Sequence, residues 1–305
     1  MYTRILVFCL LALLSSCILN NFMRPSNLKT KIFLDSGDPK ETKEVLSILG
    51  SLDGQTTNPS LVAKNPETVG KKFSQAEIYE FYKGVVSEIS KQIPEGSVSI
   101  EVYADATTKS EDMLKQAHEF NQWVPNAHIK FPTTSEGLKA AETCVKEGIR
   151  VNMTLVFTQQ QAAAVYAATK GAKKGDVFLS PFVGRLDDIE EDGMDLIKDI
   201  LEMYKVGDGH VEVLAASIRS QEHMLKALEL GSDIITAPMK ILKEWSEVRS
   251  KNQELGIMEG VNLKPIVYEE VDLNKNWTEY NIHHELTDKG IEKFAQDWNN
   301  LIKNA

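Results

Sequence analysis

Cysteine is nearly absent: Cys9, Cys17 and Cys144 are the only three in 305 residues. They are too few and too scattered for a disulfide framework or a CxxC metal site, so the body of the chain reads as that of a reduced, cytosolic protein. No lysine or arginine run occurs and the formal net charge is −10, which excludes an extended nucleic-acid surface. An acidic ligand would have to be met by individual arginines. No glycine-rich phosphate loop follows the first apolar strand, which argues against a dinucleotide-binding fold. The histidine pair His283-His284 beside Glu285 has no companion cluster and reads as a solvated turn, not a metal site. Asn276-Trp277-Thr278 fits a glycosylation sequon, a short pattern without meaning in a cytosolic chain.

Long apolar runs are also missing, with one exception. Ile5 to Leu19 is almost uninterrupted and follows a lone Arg4, as in a signal-peptide core shorter than a membrane span. Leu14-Ser15-Ser16-Cys17 resembles a lipoprotein cleavage box. The alternative is that translation starts at Met23, before the polar run Arg24 to Lys31, and that residues 1–22 are an upstream extension. The cytosolic character of the remainder favours the extension and a functional unit of residues 23–305. An exported, lipid-anchored protein would instead begin at Cys17.

What is present is an ordinary globular composition, 42% hydrophobic and 26% charged, long enough for one barrel of ~250 residues with tails. Eight short apolar segments punctuate the chain, starting at Lys31, Gly54, Ser97, His128, Arg150, Val177, Glu212 and Asp233. Amphipathic stretches lie between them, including Glu111 to Trp123, Ser135 to Glu147, Gln159 to Lys170 and Gln221 to Leu230. Eight strand-then-helix units predict an α/β fold, a single (β/α)8 barrel, with a doubly wound open sheet as competitor. Ile291, Phe294, Ala295 and Trp298 share one face of an additional C-terminal helix, with Thr287 as candidate N-cap. That helix would cover its own barrel or a neighbouring subunit.

Strand parity separates a polar face. Val98 and Ile100 alternate with Ser99 and Glu101, and Val151 and Met153 with Asn152 and Thr154; the same rule groups Asp35 with Phe33, Lys130 with His128 and Ser180 with Phe182. Barrel active sites are built at the C-terminal strand ends, where these polar residues fall. Lys130 stands between Ile129 and Phe131 in the segment HIKFPTTSEGL. A barrel interior there would desolvate its ammonium, drawing the pKa from ~10.4 toward ~7 to 8 and giving a nucleophilic amine. The bland alternative is a lysine that snorkels to solvent.

Six segments together resemble the class I transaldolases, the small-barrel group that includes fructose-6-phosphate aldolase. They are TTNPSL from Thr56, VSIEV from Val98, IKFPTTSEGLKA from Ile129, VNMTLVF from Val151, LSPFVGRLDD from Leu179 and ASIRS from Ala216. Gln55 and Phe131 depart from the family pattern, neither at a reacting group. The resemblance implies a Schiff-base lysine at Lys130, a proton-transferring acid/base at Asp35, and a Glu101–Thr154 pair holding a shuttle water. It assigns Asn58, Asn152 and Ser180 to the hydroxyls of a dihydroxyacetone unit, and Arg185, Ser217 and Arg219 to a phosphate. Each of these has a structural alternative; for the arginines it is pairing with Asp187 or Asp188. Neither cofactor nor metal is implied.

Expected partners are sugar phosphates and further copies of the chain in a homo-oligomer, with no nucleic acid and, for a start at Met23, no membrane. The implied reaction moves dihydroxyacetone from sedoheptulose 7-phosphate to glyceraldehyde 3-phosphate. Glu101 and Phe182 stand where the aldolases carry glutamine and tyrosine, which favours transfer over simple cleavage. A fructose-6-phosphate aldolase and a lipid-anchored binding protein on the same scaffold are the alternatives.

Overall fold

The computed structural model describes residues 28–250 and 263–303, so the apolar N-terminal run, the Met23 boundary, Cys9 and Cys17 lie outside the described residues. Eight parallel strands close into a barrel in sequence order. They are β1 (Lys31–Asp35), β2 (Gly54–Thr56), β3 (Ser97–Glu101), β4 (Ala127–Pro132), β5 (Val151–Val156), β6 (Val177–Pro181), β7 (Val211–Ala215) and β8 (Ile234–Ala237). This is the predicted (β/α)8 barrel, and the closed order rules out the open sheet. All eight strands fall within the segments expected from the sequence or one residue outside them.

Helices α1 (Pro39–Leu49), α2 (Pro59–Ala63), α3 (Gln75–Gln92), α4 (Ser110–Phe120), α5 (Ser135–Lys146), α6 (Gln159–Ala168), α7 (Val183–Asp187), α8 (Gly193–Tyr204), α9 (Gln221–Leu230) and α10 (Met239–Ser250) surround it. Their starts are written locally. Asp38, Asn58, Ser74, Thr134, Thr158 and Ser220 each accept a backbone N–H of the first turn, supplying a group the helix cannot satisfy internally. Gly50 and Gly231 end α1 and α9 in the left-handed conformation that glycine adopts without strain. The departing Gln55 is fully buried, accepting from Thr42 Oγ1 at 2.7 Å and donating to Ser36 O at 2.8 Å. It stitches α1 to the end of β1.

The lower barrel is filled by a mixed layer. Lys31 Nζ meets Glu212 at 3.0 Å, and His128 stacks on Phe178 with ring centres 4.0 Å apart. His128 Nε2–H donates to Gly175 O at 2.8 Å, because a carbonyl only accepts; Nδ1 therefore accepts from Ser97 Oγ at 2.7 Å. Burial pushes this imidazole down to about 3. This plug closes the barrel floor and leaves the upper end for the site.

A last helix, α11 (Glu285–Asn299), is the additional C-terminal element, and it seats Ile291, Phe294, Ala295 and Trp298 on its own barrel. Thr287 is not its N-cap. His284 is, with Nδ1 accepting from Leu286 N at 3.2 Å while its ring stacks on Phe157 at 5.2 Å. The histidine pair is thus no mere solvated turn: only His283 is exposed, 3.2 Å from Asp288. Thr287 is buried in the first turn and donates to Leu155 O at 2.9 Å. Asn276 caps a short 3-10 turn that buries Trp277, a structural use of the sequon residues. No helix among the described residues is long and apolar enough to cross a membrane.

Candidate active site

Parallel register puts Glu101 opposite Lys130 and Lys130 opposite Asn152, so the three side chains enter the barrel at one level. Lys130 is 3% exposed; it does not snorkel. Its Nζ lies 3.0 Å from Glu101 Oε2 and 3.4 Å from the Thr57 carbonyl. Glu101 Oε2 makes no aligned hydrogen bond, so the contact is an ion pair with a spare acceptor. Burial raises the Glu101 carboxyl above its ordinary range, while Lys130 and Arg185 pull it back. Asp35, at the end of β1, accepts from Thr56 Oγ1 at 2.7 Å. Burial raises it too, and Lys130, this hydrogen bond and Lys64 oppose.

On the other side of Lys130, Ser180 Oγ donates to Asn152 Oδ1 at 2.7 Å and Asn152 Nδ2 to Ser99 Oγ at 3.0 Å. Asn152 is fully buried beneath the cavity wall, whereas Ser180 reaches the cavity. The buried Thr154 hydroxyl has no partner among the described residues, an expensive state for a polar group unless something else uses it. Just after it β5 is irregular: the register shifts between Met153 and Val156, and Leu155 has φ 61°. That strained conformation is held from outside by Thr287, which takes the Leu155 carbonyl.

Above Lys130 opens a cavity of about 260 Å³. Arg185 enters it between the rings of Phe182 and Phe294, 5.1 and 5.3 Å from their centres. Phe182 also lies 6.0 Å from Lys130 Nζ. Asn58 caps α2 with Oδ1 accepting from Leu61 N at 2.8 Å, which leaves its amide N–H groups for the cavity. Ser217 lines the wall at φ 57°. Gly184 is required beside it, because a Cβ there would sit 2.6 Å from the Arg219 side chain and from Ser217 O. Arg219 is at the rim in a two-pronged pair with Asp188, Nη2 to Oδ2 at 2.8 Å, so the ordinary partner is taken in this structure. Asp187 pairs with His223 at 2.7 Å instead.

The barrel therefore brings all eleven expected residues to one end: eight line the cavity, Glu101 pairs with Lys130, and Asn152 and Thr154 are buried on β5 without lining it. Sequence reasoning missed Lys64, Lys293 and Phe294, which also line the cavity, and Thr56, Thr236 and Tyr82. Phe294 was read as the apolar face of a helix, with nothing to say that the helix roofs the site. Thr56 sat inside a quoted motif, and its inward parity was the available signal. Among the described residues Arg185 and Lys64 have no carboxylate partner, a pair of cations suited to an anion in an otherwise acidic chain.

The transaldolase/fructose-6-phosphate aldolase family pattern matches residues 32–305. A protein named probable transaldolase from Dehalococcoides mccartyi is 38% identical over 273 residues, covering 90% of this chain and all of that one. Its namesake from Alkaliphilus metalliredigens has the same identity and coverage. One from Thermoanaerobacter is 37% identical over 268 residues, 88% of this chain and 96% of its own.

Proposed function

This chain belongs to the transaldolase/fructose-6-phosphate aldolase family, and from that premise we propose that it transfers a dihydroxyacetone unit from sedoheptulose 7-phosphate to glyceraldehyde 3-phosphate. In this reading the Lys130 amine adds to the C2 carbonyl of the ketose and, with loss of water, forms an imine. Asp35 takes the C4 hydroxyl proton as the C3–C4 bond breaks; erythrose 4-phosphate leaves and the bonding electrons stay on the nitrogen-linked fragment as an enamine. The enamine carbon then attacks C1 of glyceraldehyde 3-phosphate, whose oxygen takes the proton back from Asp35. Water hydrolyses the new imine to fructose 6-phosphate and free Lys130.

The observation that carries the reading is a buried lysine ion-paired at 3.0 Å with Glu101 Oε2, an oxygen with acceptor capacity to spare, and a buried Thr154 hydroxyl on the next strand without a hydrogen-bond partner among the described residues. Such oxygens suit a water that gives and takes protons during imine formation and hydrolysis. The raised Asp35 carboxyl suits a group that must both accept and return a proton. Asn58 and Ser180 offer uncharged partners to hydroxyls, and Arg185 offers a desolvated guanidinium to the phosphate.

Borohydride reduction in the presence of fructose 6-phosphate, followed by peptide mapping, tests the mechanism. A reduced adduct on Lys130 is expected; no adduct, or one on another lysine, overturns it. The rival reading, a fructose-6-phosphate aldolase, is disfavoured by the carboxylate at Glu101 and by Phe182, which puts no hydroxyl near Lys130. Release of free dihydroxyacetone without an acceptor aldehyde, at a rate matching transfer, would favour the rival.

A further inference from the structure

The β2–β3 ladder breaks at the residues that hold Lys130. Ser97 N–H donates to Asp53 O at 2.9 Å and Thr57 N–H to Ser99 O at 3.1 Å. Parallel ladders repeat every two residues on each strand, so the next bond in line is Glu101 N–H to Thr57 O. It is not made. Glu101 N–H goes to the hydroxyl of Tyr82 at 3.0 Å, and the Thr57 carbonyl receives Lys130 Nζ.

The proton directions around this substitution are determined. Thr57 Oγ1 donates its single proton to Ser99 O at 2.7 Å, since a carbonyl only accepts. It must therefore accept from Tyr82, 2.5 Å away, and Tyr82 must be a neutral phenol that accepts from Glu101 and donates to Thr57. Tyr82 is 1% exposed, on α3, and its ring sits edge-on against Phe120, Trp123 and the α11 residue Trp298. Burial raises its hydroxyl well above the usual range, in keeping with the neutral form.

We infer that Tyr82 is a positioning residue: its hydroxyl takes the Glu101 amide out of the ladder and leaves the Thr57 carbonyl to the Lys130 amine alone. It touches no substrate and acts through Glu101 and Thr57 alone. Without it the ladder bond closes, Lys130 must share the Thr57 carbonyl with the Glu101 amide, and the Glu101 backbone shifts toward β2, displacing the carboxylate that faces the amine. The inference rests on Lys130 being the reacting amine only for its catalytic arm; the ladder arm is independent of that reading.

The experiment is Tyr82→Phe, which keeps the ring and its aromatic contacts, with Thr57→Val and Thr57→Ser beside it. A crystal structure of Tyr82→Phe should show Glu101 N and Thr57 O closed to about 3 Å. The maximal rate of borohydride trapping with fructose 6-phosphate should fall about tenfold or more, with the half-saturating ketose concentration moving less than about twofold, because misplacing a reacting group costs rate rather than binding. Thr57→Val should match it, Thr57→Ser should lose less, and the double variant should lose no more than the worse single one. A folded Tyr82→Phe that traps at the wild-type rate, or in which the ladder gap stays open, overturns the inference. If the ladder closes but the wild-type protein itself forms no adduct, the Lys130 mechanism fails and the positioning geometry stands.

Discussion

Lys130 and Glu101 face each other at 3.0 Å from register-paired positions on β4 and β3, both almost completely buried. Burying opposite charges costs most of what their attraction returns, so such a pair is weak evidence for stability and better evidence for chemistry. The same holds for Asp35 beside them, and it leads to the first prediction. Asp35 and Glu101 are both raised, from 3.8 and 4.5 respectively, chiefly by burial. The folded chain therefore binds more protons than the unfolded chain in the window above those values, and stability falls as pH rises through it. Asp35→Asn should thus stabilise the ligand-free protein at pH 7 by about 1 kcal/mol, a rise of about 2–4 °C in Tm, while abolishing transfer. Calorimetry and a transfer assay check it; a fall in Tm would contradict it. In the wild type the acid limb of kcat should lie above 3.8.

His128 carries the opposite sign. Held neutral with its pKa at about 3, against an ordinary 6.5, it makes the unfolded chain bind more protons between those values. Its contribution is fully present above 6.5 and is lost as pH falls. Between pH 6.5 and 4.5 the loss should reach roughly 2 kcal/mol. Because Asp35 and Glu101 work against it, the measurement is the difference between wild type and His128→Gln in urea melts across that range. Parallel curves for the two proteins would refute the assignment.

Gly290 on α11 abuts Arg185, the proposed phosphate ligand. A Cβ there would stand 2.6 Å from Arg185 Nη1 and from Leu155 Cδ2. Arg185 cannot retreat without leaving the Phe182–Phe294 sandwich. Gly290→Ala should raise KM for fructose 6-phosphate about tenfold, as expected when roughly 1.4 kcal/mol of phosphate binding is lost. Borohydride trapping of unphosphorylated dihydroxyacetone should change little; an equal loss with both ligands would mean a general disturbance of the site.

Phe182 sits 6.0 Å from Lys130 Nζ and brings no hydrogen-bonding group to the imine. Phe182→Tyr should raise the release of free dihydroxyacetone relative to transfer by several-fold, since a hydroxyl at that radius can order a water for hydrolysis. Product analysis with and without acceptor aldehyde measures the ratio. An unchanged ratio would remove Phe182 from the control of reaction outcome.

Much of this site was legible because barrel strands are written in a two-residue code. Ser99, Glu101, Lys130, Asn152 and Thr154 fall on the inward parity of their strands, and the parallel register set Glu101, Lys130 and Asn152 side by side. The helix caps at Asp38, Asn58 and Thr134 are also local features, but it was the structure that identified them. Thr287 misled because its type fits an N-cap, yet His284 occupies that place and Thr287 is drawn inward by the Leu155 carbonyl, 132 residues away along the chain. The histidine pair misled similarly: a solvated turn in sequence became a cap stacked on Phe157.

By itself the sequence determined the eight strand segments and their inward polar face, since both follow from periodicity read along one segment, and the family resemblance nominated the reacting groups. Only the tertiary structure decided that α11 roofs its own barrel with Phe294, that Arg219 rests on Asp188, and that Tyr82 on α3 breaks the ladder beneath Lys130. These depend on contacts between residues far apart in the chain, where a hydrogen-bond direction or a gap the width of one Cβ decides the outcome. No pattern along a single segment records such a distance.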